Sequence, residues 1–310
     1  MEDELSVFPD LVATLSDEDA DLTVFAPTNA ALNTLLGTLG LTDFSTVNAD
    51  IAEAVLAYHV LTTGRIASGD VVEGETFTTA QGEVLTVGAG ETLVSGATTA
   101  ATIATPDIQA TNGVVHLIDV VLVPPTIGAQ IVAVLGTVAQ PVLLGADFTI
   151  LASAITKADS DNEDPTTTIL ALLSDATLEG EDQVTVFAPT NATFEAASIT
   201  ADTYTAAEWQ GILLNHVVQG QGDDEAEDDD TLTIDPGDLV TGATFTTLAG
   251  ATLQIFNDTE TVAAMNGIGI FIDTTFGNFD AEVALPDADG SSLNGRVHVI
   301  AGVLAPPTPE

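Results

Sequence analysis

The chain has 310 residues, no cysteine and a formal net charge of −44, with 47 acidic residues against three basic ones. The missing cysteines exclude disulfides and thiolate chemistry, and the missing clusters of Lys and Arg exclude nucleic-acid recognition and attraction to an anionic membrane. Because self-repulsion is screened in strong salt, where the Debye length at about 1 M is about 3 Å, we expect a high-salt origin.

The first predicted element is a strand that turns into a helix. Residues 23–30 read Thr-Val-Phe-Ala-Pro-Thr-Asn-Ala, and the same eight residues recur at 185–192. Pro27 has no N–H for a strand ladder, so the strand is predicted to end there, and Thr28 or Asn29 then caps a helix. The repeated box is therefore predicted to be a structural corner rather than a ligand site.

A helix that ends in a histidine follows in each copy, at His59 and at His216. Asp50 and Thr205 are each followed three residues later by a glutamate, which is the spacing of a capping box. Both helices are therefore predicted to begin at these residues. The residue before the histidine is Tyr58 in the first copy and an asparagine in the second.

Two more segments align between the copies. Phe77 and Phe245 lie in predicted hairpins with glycine turns, and His116 and His298 lie in strands that end in a proline pair. An imidazole among aliphatic residues indicates a buried, neutral and hydrogen-bonded group. Strand positions three apart point to opposite faces, so Asp119 is not expected to form a catalytic pair with His116.

These motifs, in this order and in two copies, resemble the fasciclin domain. The resemblance implies an α/β (α+β) fold in which each domain is a twisted, wedge-like β-sandwich flanked by helices. We predict domain 1 at residues 1–125 and domain 2 at residues 126–310. The signature residues predicted to be structural are Phe25, Pro27, Thr28, Asn29, His59 and His116 in the first copy, and Phe187, Pro189, Thr190, Asn191, His216 and His298 in the second.

The resemblance also implies a function. Fasciclin proteins are typically secreted or anchored at cell surfaces, so we expect an adhesion or scaffold module that binds protein or polysaccharide, without a cofactor. The alternatives are a carrier of an apolar ligand such as a carotenoid in a helix–sheet groove, and a self-assembling matrix or filament subunit. Residues 1–5 lack the features of a signal peptide, so a signal is expected to have been removed.

The copies differ at their beginnings. Ile127 and Ile131 fall at helical spacing and are predicted to open domain 2, and nothing in the first copy corresponds to residues 127–158. Either a preceding segment was trimmed, or domain 1 leaves an apolar groove through which the protein self-associates. The uncharged run at residues 120–146 contains three prolines and is not expected to insert into a membrane.

Few residues carry candidate chemistry. In the family a Tyr-His pair is linked to receptor contacts, which makes Tyr58 and His59 candidate partner contacts, although Tyr58 is also expected to pack with a hydrogen-bonded hydroxyl. Asp287 and Asp289, like the acidic run at 159–164, have the carboxylate density for Ca²⁺ but complete no EF-hand loop. No nucleophile elbow, P-loop or dinucleotide fingerprint occurs, so no enzymatic activity is expected.

Overall fold

The structure is a computed structural model that describes residues 8–41, 43–95, 100–221, 233–234, 238–240, 242–256, 270–274, 279–285 and 294–304. The chain divides into two compact units, residues 1–133 and residues 134–310, which are called unit 1 and unit 2 below. No helix of the described residues combines the length and the apolar character that a membrane crossing needs.

Unit 1 contains mixed and antiparallel sheets. Its strands are β1 (Leu22–Pro27), β2 (Val60–Leu61), β3 (Thr76–Thr78), β4 (Val84–Gly88), β5 (Thr92–Val94), β6 (Ile103–Ala110) and β7 (Gly113–Ile118). The first sheet has the order β2-β1-β7-β6, and β3, β4 and β5 form a second sheet. Because β1 and β7 pair in parallel, the box and the closing strand are direct neighbours, with Phe25 opposite His116.

Unit 2 repeats the parallel pair inside a larger sheet. Its strands are β8 (Val184–Pro189), β9 (Val217–Gln219), β10 (Thr244–Thr246), β11 (Thr252–Phe256), β12 (Ile270–Thr274), β13 (Phe279–Leu285) and β14 (Gly295–Ile300). They follow the order β10-β11-β12-β13-β14-β8-β9. Phe187 of β8 lies opposite His298 of β14, as Phe25 lies opposite His116 in unit 1.

Helices accompany the sheets in both units. Those described between residues 8 and 134 are α1 (Pro9–Ser16), α2 (Asn29–Thr38), α3 (Ala49–Tyr58) and α4 (Pro125–Val134). Those described farther along the chain are α5 (Ala139–Leu144), α6 (Thr149–Asp159), α7 (Ile169–Ser174), α8 (Asn191–Ala196) and α9 (Ala206–Leu214). Together with the mixed sheets, they confirm the predicted α+β fold class.

Each unit has a buried hydrophobic cluster around the phenylalanine of its box strand. In unit 1, Phe25 packs with side chains of the hairpin strands, such as Leu85 and Leu93, and all three are fully buried. In unit 2, Phe187 packs with Leu253 in the same way. The predicted hairpins around Phe77 and Phe245 are confirmed, with Phe77 opposite Leu85 and Phe245 opposite Leu253.

The predicted strand-to-helix corner is confirmed in both copies. β1 ends at Pro27, and the Thr28 hydroxyl accepts a hydrogen bond from the N–H of Ala31 at 3.3 Å. In unit 2 the Thr190 hydroxyl accepts from the N–H of Thr193 at 3.4 Å. Each threonine thus satisfies one of the N–H groups that the first turn of a helix leaves without a helical partner.

Of the two predicted starts of the histidine helices, one is confirmed and one is wrong. Thr205 and Glu208 form the expected capping box at the start of α9. The predicted start of α3 at Asp50 is wrong, because Asn48 is the N-cap and its side chain accepts a hydrogen bond from the N–H of Asp50 at 3.0 Å. Asn48 and Thr205 both lie 11 residues before the histidine (59 minus 48 and 216 minus 205), so the alignment is shifted by two residues from the predicted one.

Helix α4 packs differently from the prediction. Its residues Ile127 and Ile131 were expected to open domain 2, but Ile127 packs against Ala31 and Val55, and Ile131 lines a pocket of unit 1. The division between the units accordingly falls after residue 133, beyond the predicted boundary at residue 125. Helical periodicity identified the apolar stripe of α4 but not the surface that covers it.

Candidate functional site

A buried hydrogen-bonded connection joins the box strand to the closing strand of unit 1. The Thr23 hydroxyl accepts a hydrogen bond from the N–H of Ile66 at 2.8 Å, and His116 Nε2 donates to the carbonyl oxygen of Ile66 at 2.9 Å. Phe25 stacks on the His116 ring with 5.5 Å between the ring centroids. Ile66, in the loop between β2 and β3, is therefore held by both the box strand and the closing strand.

Unit 2 repeats this connection. The Thr185 hydroxyl accepts from the N–H of Ile234 at 2.8 Å, and His298 Nε2 donates to the carbonyl oxygen of Ile234 at 2.8 Å. Phe187 lies 5.5 Å from the His298 ring. His116 and His298 are both fully buried. The expected burial and hydrogen bonding of the closing-strand histidines are therefore confirmed.

The other histidine pair lies at the ends of α3 and α9. His59 Nδ1 donates to the carbonyl oxygen of Val55 at 2.7 Å, and its Nε2 accepts from the N–H of Leu122 at 2.9 Å. His216 makes the same two kinds of bond in unit 2, at 2.8 and 2.9 Å. A ring with one donating and one accepting nitrogen is neutral. Burial lowers the pKa of both histidines to about 4, so they stay neutral at pH 7.

Tyr58 lies inside unit 1 beside His59. Its hydroxyl donates to the carbonyl oxygen of Val84 at 2.8 Å, as expected, and burial, with the charge of Glu83, raises its pKa to about 12. The exposed fractions of Tyr58 and His59 are 0% and 3%, so neither side chain is available to a partner on the surface in this conformation. Asn215 takes the place of Tyr58 in unit 2 and bonds to the carbonyl oxygen of Leu304 at 3.2 Å.

The box asparagine of unit 2 holds the start of α6. The Asn191 Oδ1 atom accepts a hydrogen bond from the N–H of Ile150 at 2.9 Å, and Nδ2 donates to the carbonyl oxygen of Ala146 and the hydroxyl of Thr149, both at 2.9 Å. Asn191 begins a potential N-glycosylation sequon, Asn-Ala-Thr at residues 191–193, and its Nδ2 atom is thus used inside the protein. The other sequon, at Asn257, lies outside the described residues.

A second asparagine holds the same segment. Asn294, which is fully buried, accepts a hydrogen bond from the N–H of Val138 at 2.9 Å and donates to the carbonyl oxygen of Leu173 at 2.9 Å. We call Asn191 and Asn294 the asparagine clamp of unit 2, and residues 138–159 the clamped segment. Sequence reasoning missed this clamp, and the recurrence of both asparagines in the two copies was the available signal.

Exposed carboxylates of the described residues bind hydroxyl and N–H groups. Asp119 accepts from the hydroxyl and the N–H of Thr102, both at 2.6 Å, and Asp107 accepts from the hydroxyl of Ser68 at 2.6 Å and its N–H at 2.9 Å. The bond from the hydroxyl, and to a smaller extent the bond from the N–H, keeps the pKa of each carboxyl below its usual value. Asp119 is thus bonded to Thr102, and it is the carboxylate of Asp107 that lies 4.0 Å from His116 Nδ1.

Asp287 and Asp289, whose carboxylate density suits Ca²⁺, lie outside the described residues, and so does a further acidic run of the second copy at residues 223–230. In the part of the chain that the structure describes, no group of three or more His, Asp or Glu side chains is close enough to hold a metal ion. In the acidic run at 159–164, Asp159 accepts from the N–H groups of Ile169 and Leu170 at 2.8 and 2.9 Å. That carboxylate caps α7.

An apolar pocket lies against α2 and α3 of unit 1. Its enclosed volume is about 20 Å³, which is room for about one water molecule. An apolar ligand of carotenoid size would therefore enter only if these helices moved apart. The lining residues are Leu32, Leu35, Leu36, Leu39, Phe44, Val47, Ile51, Ala52, Val55, Val123 and Ile131.

Comparison with protein families gives one match along most of the chain. The model of the fasciclin domain matches residues 5–124 and residues 164–306. The two matches cover the box, the histidine helix and the closing strand of each unit.

Curated relatives of this chain include a cyanobacterial and a mammalian protein. The chain is 39% identical over 116 residues to Protein sll1483 of Synechocystis sp., covering 37% of this chain and 62% of that protein. It is 25% identical over 284 residues to the transforming growth factor-beta-induced protein ig-h3 of Sus scrofa, covering 86% of this chain and 35% of that protein. The chain thus spans less than two thirds of either relative.

Among solved structures, a FAS1 domain pair from the insect cell adhesion molecule fasciclin I aligns with 98% of this chain and 96% of its own length. The sequence identity is 16% and the TM-score is 0.37.

Proposed function

The chain belongs to the fasciclin family, and on this premise we propose that it is a non-catalytic adhesion or scaffold module that binds a protein or polysaccharide partner. Fasciclin domains are associated with cell-adhesion and extracellular-matrix proteins. We accordingly place the protein outside the cell or at its surface.

The observation that carries the proposal is the internal use of the repeated polar side chains. The rings of His59 and His216 each donate one hydrogen bond and accept one inside the protein, and His116 and His298 are fully buried. A general base needs hydrogen-bond reach to a substrate proton, and these rings are directed to main-chain groups. The signature residues therefore support the fold, which leaves the outer surface for recognition.

The charge of that surface restricts the partner. With a net charge of −44, an anionic partner such as nucleic acid or an anionic membrane would be repelled. A neutral polysaccharide or a neutral to basic protein surface would not be. The scarcity of basic residues and the use of hydroxyl partners for carboxylates also support our inference of a high-salt habitat, where the remaining repulsion is screened.

Arrays of glycans and proteins test the proposal directly. The full chain is applied in about 0.1 M and in about 1 M salt, between which the screening length falls from about 10 Å to about 3 Å. We expect binding to a neutral or basic partner that persists in the stronger salt, with the partner unchanged afterwards. Binding to no array member in either salt, or chemical conversion of a bound partner, would contradict a non-catalytic binding module.

The alternatives receive less support. A carrier of an apolar pigment would need the α2–α3 pocket to open far beyond its present volume of about 20 Å³. An absorption spectrum of the purified protein in the visible range decides this, since a bound carotenoid would colour the preparation. A matrix or filament subunit would sediment as a concentration-dependent series of oligomers.

A further inference from the structure

An open groove with a volume of about 410 Å³ lies beside the loop between β2 and β3 of unit 1. It shares no lining residue with the small pocket at α2 and α3. Every residue that lines it lies between Arg65 and Phe77, so one stretch of chain forms the groove. Ligand sites in proteins commonly have volumes of about 300–1,000 Å³. The groove is therefore large enough to bind a side chain together with its neighbours.

The stretch that forms the groove is held to the rest of unit 1 at several points. Ile66 is bound by the box strand and the closing strand, as described above. The N–H and the hydroxyl of Ser68 both bind Asp107, at 2.9 and 2.6 Å. Farther along, the carbonyl oxygen of Glu75 accepts from the N–H of Val87 at 2.9 Å. A groove that is fixed before binding loses little conformational freedom when a ligand enters.

Two carboxylates of the groove are available to a ligand. Asp70 and Glu75 are exposed, and neither carboxylate makes a hydrogen bond or an ion pair with any residue that the structure describes. The guanidinium of Arg65, which also lines the groove, is already bound. Its Nε donates to Asp21 at 2.7 Å, and its other two nitrogens donate to main-chain carbonyl oxygens at 3.3 and 2.7 Å.

Apolar side chains lie in the same groove. Ile66 and Phe77 are half-buried, and Val72 is 42% exposed. Gly69 leaves the groove open, because no atom lies within 4 Å of the place that a Cβ would take there. The groove thus combines an apolar surface with negatively charged hydrogen-bond acceptors.

The corresponding stretch of unit 2 lacks one of the two acids. Residues 233–245 align without a gap on residues 65–77, at a constant offset of 168 (233 minus 65). At the position of Glu75, unit 2 has Ala243. The carboxylate of Glu75 is therefore specific to unit 1, and unit 2 shows that an alanine is compatible with the fold at this position.

The charges and the apolar side chains together restrict the occupant. An anionic group would be repelled by Asp70 and Glu75. A neutral sugar would pair with neither charge. An arginine side chain fits both parts of the groove, because its guanidinium forms paired hydrogen bonds with carboxylates and its aliphatic stem packs on apolar surface.

We propose that this groove is a protein-binding site of unit 1 and that it takes an arginine side chain from a basic segment of the partner. The guanidinium binds the carboxylates of Asp70 and Glu75, and the aliphatic stem lies on Val72 and Phe77. The inference rests on the adhesion or scaffold function proposed above and gives that function a specific site and a specific partner chemistry.

Two synthetic peptides test the partner chemistry. One is acetyl-Gly-Val-Arg-Val-Gly-amide, and the other has citrulline, which keeps the shape of arginine without its charge. Each is titrated into the isotopically labelled full chain in about 0.15 M salt, where screening over about 8 Å suppresses the attraction of distant acids. Nuclear magnetic resonance follows the main-chain amides of Gly69, Val72 and Glu75. We expect saturable shifts, and at least about tenfold weaker binding of the citrulline peptide.

Two glutamates of the same loop provide a matched pair of variants. Glu75→Ala introduces the residue of unit 2 and is expected to weaken binding of the arginine peptide at least about fivefold. Glu73 is also exposed but does not line the groove. Glu73→Ala removes the same charge from the chain and should leave the affinity unchanged, so the pair separates a contact in the groove from general attraction to an acidic protein.

Two glycines provide a steric test. Gly69→Leu places a side chain in the groove and should abolish binding of the arginine peptide. Gly37, an exposed glycine of α2, has equally open space around the place of its Cβ. Gly37→Leu should therefore leave binding intact. Circular dichroism checks that both variants fold.

Several outcomes would overturn the proposal. No saturable shift of the groove amides at millimolar arginine peptide, equal affinities of the arginine and citrulline peptides, or equal effects of Glu75→Ala and Glu73→Ala would each exclude the site. Saturable shifts of the same amides with maltotriose, and none with the arginine peptide, would exclude a protein as the partner.

The glycan and protein arrays separate this inference from the proposed function. Array binding that survives both Glu75→Ala and Gly69→Leu would contradict the groove as the site and leave the adhesion function standing. Arrays without any bound partner, together with normal binding of the arginine peptide, would contradict the adhesion function and leave the groove standing.

Discussion

The box asparagine has different surroundings in the two units. Asn191 holds the start of α6 through three hydrogen bonds of 2.9 Å, whereas Asn29 is exposed. The buried hydrogen bond of the box threonine is the same in both units, since Thr23 and Thr185 accept from equivalent main-chain N–H groups at 2.8 Å. The repeated box therefore has two separable roles: it forms a corner in both units, and its asparagine holds the start of α6 in unit 2.

The largest expected difference in stability between the two units follows from substitution of Trp209. Its fully buried ring lies 6.0 Å from Phe194 and 5.2 Å from Tyr204, whereas unit 1 has Ala52 at the same position, seven residues before the histidine (216 minus 209 and 59 minus 52). Trp209→Ala should therefore destabilise unit 2 by about 3–5 kcal/mol and leave unit 1 unchanged.

Urea unfolding followed by circular dichroism measures this effect, because the midpoint of the unit 2 transition should fall without a change in slope. Val132→Ala, at a side chain that is 61% exposed, provides the control. Equal shifts of both transitions after Trp209→Ala would show that the helical layers of the two units are not independent.

Acid should affect both units alike. Burial lowers the pKa of His59 and His216 from 6.5 to about 4. Above pH 6.5 these histidines are neutral whether folded or unfolded, so they do not make stability depend on pH. Between pH 6.5 and 4 the unfolded state binds protons that the folded state does not, so each histidine should lower stability by about 3 kcal/mol at pH 4.

Single substitutions separate the two histidine contributions. His59→Gln should remove this pH dependence from unit 1 and His216→Gln from unit 2, with the fluorescence of Trp209 reporting on unit 2. Loss of the pH dependence from both units after one substitution would contradict two independent, equivalent histidine sites.

Removal of the helix-capping hydroxyls should also destabilise the two units equally, by less than the substitutions above. Thr28→Ala and Thr190→Ala each remove a hydroxyl that accepts an N–H of the first helical turn, at 3.3 and 3.4 Å. A loss of about 1 kcal/mol is expected in each unit. Thr→Ser variants, which keep the hydroxyl, should stay close to the wild type in urea unfolding. A much larger effect in one unit would show that the corner is not equivalent in the two copies.

Sequence reasoning succeeded where the two copies agree. The box corner, the hairpins and the closing strands were predicted because proline, glycine and alternating apolar residues act locally and occur twice. The start of α3 was misplaced because Asn48 and Asp50 are both good capping residues, and the neighbouring Glu53 favoured the wrong one.

Long-range partners could not be read in the same way. The helical stripe of α4 was predicted, but periodicity does not say which helices Ile127 will contact. The clamp was missed because the donor of Ile150 and the acceptor of Asn191 are 41 residues apart. The recurrence of the asparagine indicated its importance, whereas its bonding partner depends on how the segment folds back.

Hydrogen exchange at the amide of Ile150 measures whether the box asparagine acts as a clamp in unit 2 alone. This N–H binds Asn191 in unit 2, and the box asparagine of unit 1 has no such partner among the described residues. We predict that this amide is protected in the native chain and that Asn191→Ala accelerates its exchange at least about tenfold. Asn29→Ala should leave exchange throughout the isolated chain unchanged. Unchanged exchange at Ile150 in Asn191→Ala, or faster exchange across unit 1 in Asn29→Ala, would contradict a clamp that Asn191 forms in unit 2 and that Asn29 does not form with the described residues of unit 1.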